Sequence, residues 1–369
     1  MSWSLASVVA DAGGAEALVP VLEAVAGRGA LAGIVAGVPA AAVLSRAGLP
    51  FVAAADLAPH NEGAWLAAVG ATGLITSTSW GENPQELGFI EAARARQIPT
   101  AAIIDFWSNY RSRFVAGTGE LILPDWIVVP DEVAAAEAVS DGLPADRLVA
   151  AGNPHLEHLL ERSLEFGPEQ RMAFRESVGV PRKATLVVFA SQPIRALYGE
   201  TLGYTEDQVL IEVRAALERA MGWLGHRAVL AVRSHPRERD AVVLSSSDGV
   251  AVRPGNRGEP LAWVMAADLV VGMTSALLVQ ASLVGRRVVS VQPGLVGDDH
   301  LPTNRLGLTD AVYERDAIAP VLYRALARPA HLGSGRALQR LRGAASGATV
   351  RVTNLAFELA SGMTIGALG

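Results

Sequence analysis

The sequence predicts an α/β protein built from two doubly wound, parallel-sheet domains. Apolar runs of strand length alternate with helical patterns along most of the chain, as in proteins whose parallel sheet carries helices on both faces. Residues 268–296 contain a strand, a turn, a helix and a second strand in succession, which is the pattern of a right-handed βαβ unit. At 369 residues the chain exceeds one usual domain, so two domains are expected.

The first predicted domain covers residues 1–166. Its apolar strands are expected at 6–10, 34–36, 51–54, 74–76, 101–104, 126–129 and 148–150. Helical patterns follow these strands at 18–25, 40–47, 62–69, 86–97, from 132 onward and at 154–165. The polar stretch Gly167–Gln170 indicates the boundary with the next domain.

The second predicted domain covers residues 167–345. Its strands are expected at 186–190, 228–232, 250–252, 269–271 and 288–291. Its helices are expected at 207–221, 260–267, 276–284, 317–327 and 336–342. A last segment, 346–369, contains a helical pattern at 350–360, and we expect it to cross back to the first domain.

Composition excludes several classes of protein. The chain has no cysteine, which removes disulfides, thiolate nucleophiles and zinc–thiolate sites, and its seven histidines lack metal-ligand spacing, so no metal site is predicted. Its net charge of −6, without long basic runs, argues against nucleic-acid binding. No apolar run reaches the roughly 18 residues of a membrane span, and no signal peptide is visible, so we expect a cytoplasmic protein.

The turn Gly272–Ser275 is the first candidate ligand site. It follows a buried strand and begins a helix, at the sheet edge where ligands of doubly wound proteins gather. The first amides of a helix lack intrahelical partners and the helix dipole adds positive potential, so Thr274 and Ser275 are suited to a phosphate. An ordinary capped helix that binds nothing is the alternative.

Two further strand ends of the second half carry polar residues. Ser191 and Gln192 follow one strand, and Arg233, His235 and Arg237 follow the next. Histidine and arginine donate to phosphate oxygens, so these residues are predicted to bind the same ligand, with a solvated basic turn as the alternative. The polar loop 292–305 is expected to line the site, where Asn304 and Arg305 either contact a sugar or brace the loop.

The first half has its own polar strand ends. Gly13 and Gly14 would let a ligand approach the backbone, whereas the alternative is a tight turn with a capping Asp. Three carboxylates are candidates for a general base: Asp11, Glu82 and Asp105.

The residues after Asp105 indicate a sugar pocket in which rings stack on sugar faces and polar groups contact hydroxyls. The predicted contacts are Trp107, Asn109 and Arg113. In the alternative, Trp107 and Phe114 anchor a loop while Arg111 and Arg113 are solvated.

Three motifs together resemble the GT-B superfamily of glycosyltransferases and sugar-nucleotide 2-epimerases. They are Gly152-Asn153-Pro154, the run from Arg233 through His235-Pro236 to Glu238, and the run from Gly272 to Gly285. The last two are similar to the His-Pro and Ser motifs of bacterial transferases that use capsule, sialic-acid-type and CDP-glycerol donors. The resemblance implies two Rossmann-like domains facing a cleft, with an acceptor on the first and a nucleotide-sugar on the second.

In such relatives the His-Pro turn and the Ser/Thr helix start hold the donor phosphates, which implies that role for His235, Thr274 and Ser275. The resemblance places Gln280 where the family often has a glutamate for the donor ribose. It also implies catalysis without a bound metal, and with the nucleotide-sugar as substrate rather than as a resident cofactor.

The predicted function is glycosyl transfer to an acceptor hydroxyl in bacterial surface-glycan or glycoconjugate synthesis. Non-hydrolysing 2-epimerases begin with a Gly-Thr-Arg-Pro-Glu turn, whereas this chain has Asp11-Ala12-Gly13-Gly14. An epimerase or hydrolase, and a non-catalytic scaffold that binds nucleotide-sugar, are the alternatives. Expected partners are the donor and a glycan, lipid-linked or protein acceptor, the lipid-linked case placing the protein at the inner face of the membrane; a homodimer is left open.

Overall fold

In the computed structural model of the chain, the alternating apolar runs form two parallel sheets. The structure describes residues 3–79, 84–235, 238, 242–327 and 336–362. The chain divides into two units: unit 1 comprises Met1–His158 and Gly343–Gly369, and unit 2 comprises Leu159–Arg342. The prediction of an α/β protein with two doubly wound parallel sheets is therefore confirmed.

The sheet of unit 1 has the strand order β3-β2-β1-β4-β5-β6-β7, and its pairings are parallel. Its described strands are β1 Leu5–Val9, β2 Leu31–Ala36, β3 Val52–Ala53, β4 Gly73–Thr76, β5 Thr100–Ile103, β6 Trp126–Val129 and β7 Leu148–Ala150. The helices between and after them are α1 Ala12–Ala26, α2 Val38–Arg46, α3 Glu62–Ala68, α4 Gln85–Ala95, α5 Glu132–Ser140 and α6 Pro154–Leu164. The direction of strand order reverses between β1 and β4, so their carboxyl ends form the switch point of this sheet.

The sheet of unit 2 has the order β10-β9-β8-β11-β12-β13 and is also parallel. Its described strands are β8 Thr185–Ala190, β9 Ala228–Arg233, β10 Val250–Pro254, β11 Leu269–Gly272, β12 Val288–Val291 and β13 Asp310–Val312. Its helices are α7 Pro168–Ser177, α8 Ile194–Tyr198, α9 Glu206–Leu224, α10 Pro260–Ala266, α11 Ala276–Leu283, α12 Pro302–Arg305 and α13 Ile318–Ala327. Here the switch point lies between β8 and β11.

The last described helices are α14 Arg336–Ala345 and α15 Ala348–Ser361, and α15 belongs to unit 1. Its apolar side chains Val352, Leu355 and Leu359 are buried in the same core cluster as α1. Gly73, at the start of β4, leaves room for this helix, because a Cβ there would lie 2.8 Å from the Cα of Ala360. The helix α15 thus packs on the same face of the unit 1 sheet as α1.

Sequence reasoning missed α7, which begins inside the stretch expected to be a linker. Gly167 and Pro168 start the helix, and the side chain of Gln170 accepts from the Gly167 amide at 3.1 Å. Polar composition concealed this helix, since its sequence PEQRMAFRES has few apolar residues. The short elements α8, α12 and β13 were also missed. Among the described residues, no helix has the length and apolarity that crossing a bilayer requires.

Candidate functional site

The carboxyl ends of β8 and β11 bring two predicted site turns together. The amide of Thr274 donates to Oε1 of Gln192 at 2.8 Å, and the Thr274 hydroxyl donates to the same oxygen at 3.2 Å. The pairing of Gly272 with Ala190 sets this neighbourhood, because parallel strands end at one edge of the sheet. Gln192 therefore fixes the start of the turn that leads into α11.

Ser275 is the N-cap of α11, with its hydroxyl accepting from the Leu277 amide at 3.3 Å. Gly272 allows this helix to begin close to β8, since a Cβ there would lie 2.7 Å from Leu278 and 2.8 Å from the Ala190 carbonyl oxygen. The N-terminus of α11 consequently places the positive end of a helix dipole and the hydroxyls of Thr274 and Ser275 at the switch point, while the amides of Leu277 and Leu278 bond Ser275 itself. Gln280 lies on the same helix and is half-buried.

A carboxylate that sequence reasoning did not assign links the end of β8 to that of β9. Glu238 accepts from the Ser191 hydroxyl at 2.6 Å and from the His235 amide at 2.8 Å. Burial, helped by the nearby charges of Glu206 and Asp207, raises the pKa of Glu238. The bracing fixes the backbone at His235 beside Ser191.

Arg233 directs its guanidinium toward the carbonyl of Gly255, so it holds the end of β9 against the chain after β10. Burial lowers the pKa of Arg233. Arg237 lies outside the described residues. The nucleotide-binding role predicted for this strand end stays a prediction.

A buried chain of hydrogen bonds supports the β11 turn from the side of β12. The Tyr204 hydroxyl donates to Oε1 of Gln292 at 3.2 Å, whose amide nitrogen donates to the Ser290 hydroxyl at 3.0 Å. Ser290 in turn donates to the Met273 carbonyl at 2.7 Å. The sequence holds one sign of this support, because Ser290 is a polar residue within the apolar strand 288–291.

The loop after β12 is organised by Asp299. Its carboxylate accepts from the Leu301 amide at 2.8 Å, from the Asn304 side chain at 2.7 Å and from the Tyr313 hydroxyl at 2.7 Å. Burial acts to raise the pKa of Asp299, but these hydrogen bonds outweigh it and hold the pKa below its ordinary value. Asn304 thus braces the loop, which is one of the two roles expected from the sequence. Nη1 of Arg305 donates to the carbonyl of Asp299 at 3.5 Å.

In unit 1, the end of β4 surrounds a buried carboxyl group. Glu86 of α4 is 1 % exposed and accepts from the hydroxyls of Ser77 at 2.8 Å and Ser79 at 2.7 Å. Ser77 also accepts from the Ala10 amide at 3.2 Å, which joins this cluster to the end of β1. Burial raises the pKa of Glu86, and the charge of Asp11 adds to the rise.

Asp105 lies at the same edge, after β5. Its Oδ1 accepts from Nη1 of Arg113 at 2.9 Å, and its side chain is 22 % exposed. A Cβ on Gly13 would lie 2.4 Å from Oδ2 of Asp105, so glycine allows the carboxylate to lie against the first turn of α1. Gly14 leaves room for Ser77 in the same way, because a Cβ on Gly14 would lie 2.4 Å from the Cβ of Ser77. The two glycines thus bring the strand ends close together.

The Gly152-Asn153-Pro154 motif holds the backbone of Asp105 from a third strand end. The Asn153 side chain donates to the Asp105 carbonyl at 2.9 Å and accepts from the His155 amide at 3.0 Å. Gly152 has φ +93° and lies where a Cβ would be 2.5 Å from the Ala344 carbonyl oxygen, so glycine is required. In unit 1 this motif is structural.

The expectation that Trp107 stacks on a sugar is wrong for this structure. Trp107 is 2 % exposed, and its indole nitrogen donates to Asp131, the N-cap of α5, at 3.0 Å. Phe114 is buried too, so both rings anchor the loop as the alternative states. Burial of large apolar rings outweighs the advantage of presenting them to a ligand.

Arg113 is neither solvated nor presented to a ligand, because it is 8 % exposed. Its Nη1 donates to the carbonyl and the hydroxyl of Thr78 as well as to Asp105. Arg113 therefore positions Asp105. Asn109 takes φ +57°, a turn conformation, and its carbonyl accepts from the Ser112 hydroxyl.

Of the other predicted carboxylates, Asp11 stands at the N-cap position of α1 without a side-chain cap hydrogen bond. Its role as a base stays a prediction. Glu82 lies outside the described residues.

Solved structures resemble the chain along nearly its whole length. UDP-GlcNAc 2-epimerase from Neisseria meningitidis, bound to UDP-GlcNAc, has a TM-score of 0.66 at 14 % identity, covering 95 % of this chain and 99 % of that one. UDP-N-acetylglucosamine 2-epimerase from Rickettsia bellii has a TM-score of 0.67 at 13 % identity, covering 98 % of each chain. The glycotransferase of kitacinnamycin has a TM-score of 0.58 at 16 % identity, covering 97 % and 99 %.

The chain has the GT-B fold. No family model matches it, and no curated protein matches its sequence. Because identities to the solved structures stay at 16 % or below in these three cases, the likeness establishes the GT-B fold and leaves the reaction to be argued from the residues.

Proposed function

We propose that the chain is a glycosyltransferase that takes a sugar from a nucleotide-activated donor bound by unit 2. The observation that supports this most is the Thr274–Ser275 turn, held by Gln192 at the N-terminus of α11 and at the switch point of the sheet. This arrangement provides donors and positive potential for a pyrophosphate. A structural neighbour with this fold was solved with UDP-GlcNAc bound.

In the proposed reaction, the donor breaks its bond between the anomeric carbon and the diphosphate oxygen. The Ser275 hydroxyl and the positive end of the α11 dipole would stabilise the charge on the departing nucleoside diphosphate, and His235 would add a further donor. We assign Gln280, which lies further along α11, to the donor ribose, where its amide can bond a hydroxyl. The proposal needs no resident cofactor or metal, since these groups are all protein donors.

We assign acceptor activation to unit 1. Asp105 would take the proton from the acceptor hydroxyl, whose oxygen then bonds to the anomeric carbon of the donor. Asp105 suits this role better than Glu86, because Asp105 is partly exposed whereas Glu86 is sealed in the core. Arg113 would act as a positioning residue that fixes the orientation of the carboxylate.

A sugar-nucleotide 2-epimerase or hydrolase is the second candidate. The whole-length similarity to solved 2-epimerases favours it. The two candidates differ in product, since an epimerase inverts C2 of the donor sugar without an acceptor, whereas a transferase leaves the donor unchanged until an acceptor hydroxyl is supplied.

The first experiment measures nucleotide binding by thermal shift with CMP, CDP, UDP, GDP and dTDP, because a ligand of the folded state raises the midpoint. We expect one nucleotide to stabilise the protein, and Ser275→Ala and His235→Ala to weaken its binding about tenfold. Ser140→Ala and His158→Ala, exposed residues elsewhere, are the matched controls. Unchanged affinity in folded S275A and H235A would contradict the phosphate site.

The second experiment follows the matching nucleotide-sugar by NMR, with and without saccharide and lipid-phosphate acceptors. Nucleoside diphosphate released only when an acceptor is present supports transfer. A change at C2 without acceptor supports the epimerase, and free sugar without acceptor supports the hydrolase. An intact donor under all conditions, despite binding, would identify a scaffold.

A further inference from the structure

Unit 2 contains a large cavity at the amino-terminal ends of its strands, which is the edge opposite to the switch point. The cavity has a volume of about 1280 Å³. The starts of β8, β11 and β12 contribute Thr185, Asp268 and Arg287, while α7 and the end of α13 close other sides. The four residues of β11 separate this edge from the Thr274 turn by roughly 13 Å. The cavity is therefore a different place from the proposed donor site.

The cavity is strongly basic in a chain whose net charge is −6. Two acidic residues line it, Glu176 and Asp268. The cationic residues that line it are Arg171, Arg175, Arg182, Lys183, Arg286 and Arg287. Six cations against two carboxylates leave an excess of four positive charges, since His226 at the rim is counted as neutral.

Asp268 compensates little of this charge, because it is already shared. Its Oδ2 accepts from Nη1 of Arg175 at 3.0 Å and from the Leu186 amide at 2.8 Å, while Oδ1 pairs with Arg171. Arg175 is additionally bound to the carbonyls of Ala266 and Ala184. One carboxylate thus holds two guanidinium groups in place at the back of the cavity, and four further cations line the same space.

Arg286 is the cation whose state most strongly indicates a ligand. Its Nε is buried and has no hydrogen-bond partner among the described residues, which is a costly arrangement for a guanidinium. Burial, with the neighbouring charge of Arg171, lowers the pKa of Arg286. Arg182 and Lys183 stand exposed at the rim and form no ion pair in the described part of the chain. An anion in the cavity would pair with Arg182 and Lys183 and would offset the repulsion between Arg286 and Arg171.

We propose that this cavity binds a phosphorylated molecule that carries at least two phosphate-type charges. Guanidinium forks match phosphate oxygens in pairs, and an excess of four positive charges suits a multiply charged anion better than one carboxylate. The volume admits a ligand larger than a single phosphate ion. The inference does not depend on the proposed glycosyl transfer, since the cavity lies at the other edge of the sheet.

The test is calorimetric titration of the full chain with inorganic pyrophosphate and tripolyphosphate. We expect saturable binding that becomes about tenfold weaker in Arg286→Gln and in the double variant R182Q/K183Q. The matched control is R96Q/R219Q, which removes two charges from exposed arginines that do not line the cavity. It should bind like the wild type.

A donor-site variant separates the two edges of the sheet. In the double variant S275A/H235A, pyrophosphate binding to the cavity should persist at wild-type affinity. Loss of that binding would overturn the proposal, because it would place the anion at the donor site. The proposal is also overturned if no binding occurs, or if the cavity variants, shown to be folded by circular dichroism, bind as tightly as the control.

Vesicles distinguish the source of the phosphate groups. Flotation with phosphatidylglycerol vesicles, compared with phosphatidylcholine vesicles, tests a lipid headgroup. Binding to the anionic vesicles that is lost in R182Q/K183Q supports the site with a membrane lipid as its ligand. Binding of soluble polyphosphate alone supports the site with a soluble phosphorylated metabolite.

Discussion

The carboxyl edges of the two sheets share one topology and differ in chemistry. In unit 1 the ends of β1, β4 and β5 gather carboxyl groups, with Glu86 buried behind two hydroxyls and Asp105 held by Arg113. In unit 2 the ends of β8 and β11 are joined by the neutral contact between Gln192 and Thr274. The same order of central strands thus carries carboxyl groups at this edge in unit 1 and a neutral amide–hydroxyl contact between β8 and β11 in unit 2.

The way each edge is held explains the difference. In unit 1 the carboxylate of Asp105 is oriented by a buried cation, since Arg113 bonds both Thr78 and Asp105. In unit 2 the Thr274 turn is fixed by the neutral side chain of Gln192, whereas the backbone at His235 is held by the carboxylate of Glu238. Three predictions probe this contrast, from the largest expected effect to the smallest.

Replacing Arg113 should have the largest effect. Arg113→Gln removes the cation from a buried ion pair and leaves the carboxylate of Asp105 and the carbonyl of Thr78 without it, at a cost of about 3–5 kcal/mol. Hydrogen exchange measured by mass spectrometry should show faster exchange in β4, β5 and α4, with unit 2 unchanged. Arg111→Gln, an exposed change in the same loop, should alter exchange little. Equal increases in exchange in the two variants would contradict the positioning role of Arg113.

Replacing Gln192 should cost less, because the contact it makes is neutral and partly buried. We expect Gln192→Ala to lower the opening free energy at β8 and β11 by about 1 kcal/mol. The same exchange measurement checks it, with Gln339→Ala on the exposed face of α14 as the control. A loss as large as that of R113Q would show that the two edges are not held differently.

The smallest effect is expected at Glu86, where the stability of unit 1 should depend on pH. Burial raises its pKa above 4.5, so its contribution to stability is complete below pH 4.5 and is lost as pH rises through the raised pKa. Glu86→Gln should therefore stabilise unit 1 at pH 8, with a gain over wild type that shrinks as pH falls toward 4.5.

Exchange of β4 peptides across this pH range is the measurement for Glu86. Glu91→Gln, an exposed change on the same helix, is the control and should show no such trend. If unit 1 is more stable in the wild type than in E86Q at pH 8, the hydrogen bonds from Ser77 and Ser79 outweigh the cost of burying the charge.

The fold was predictable because the spacing of apolar residues reflects which positions are buried. A parallel sheet that is covered on both faces produces continuous apolar runs such as 126–129 and 288–291. The helix α7 was missed for the converse reason, since Arg171 and Arg175 make it polar while turning inward to Asp268. Periodicity carries no information about a charge that is buried by pairing. β13 was missed because three residues are too few to form a pattern.

The candidate site was predictable in part. Strand ends meet at one edge, so the proximity of Gln192 to Thr274 and of Gly13 to Asp105 follows from the topology. Which polar side chain faces solvent does not follow, and Trp107 shows this, because a ring suited to a sugar is equally suited to the core. Glu86 and Glu238 were not assigned, since their partners are set by the packing of loops.

The return of α15 to unit 1 has a consequence for synthesis. Unit 2 is continuous, whereas unit 1 combines the first 158 residues with those from 343 onward. Val352, Leu355 and Leu359 fill a core that β1 and α1 begin. On the ribosome, β1 and α1 are therefore made before the helix that completes their core, and unit 2 can complete its sheet while unit 1 still exposes an apolar surface.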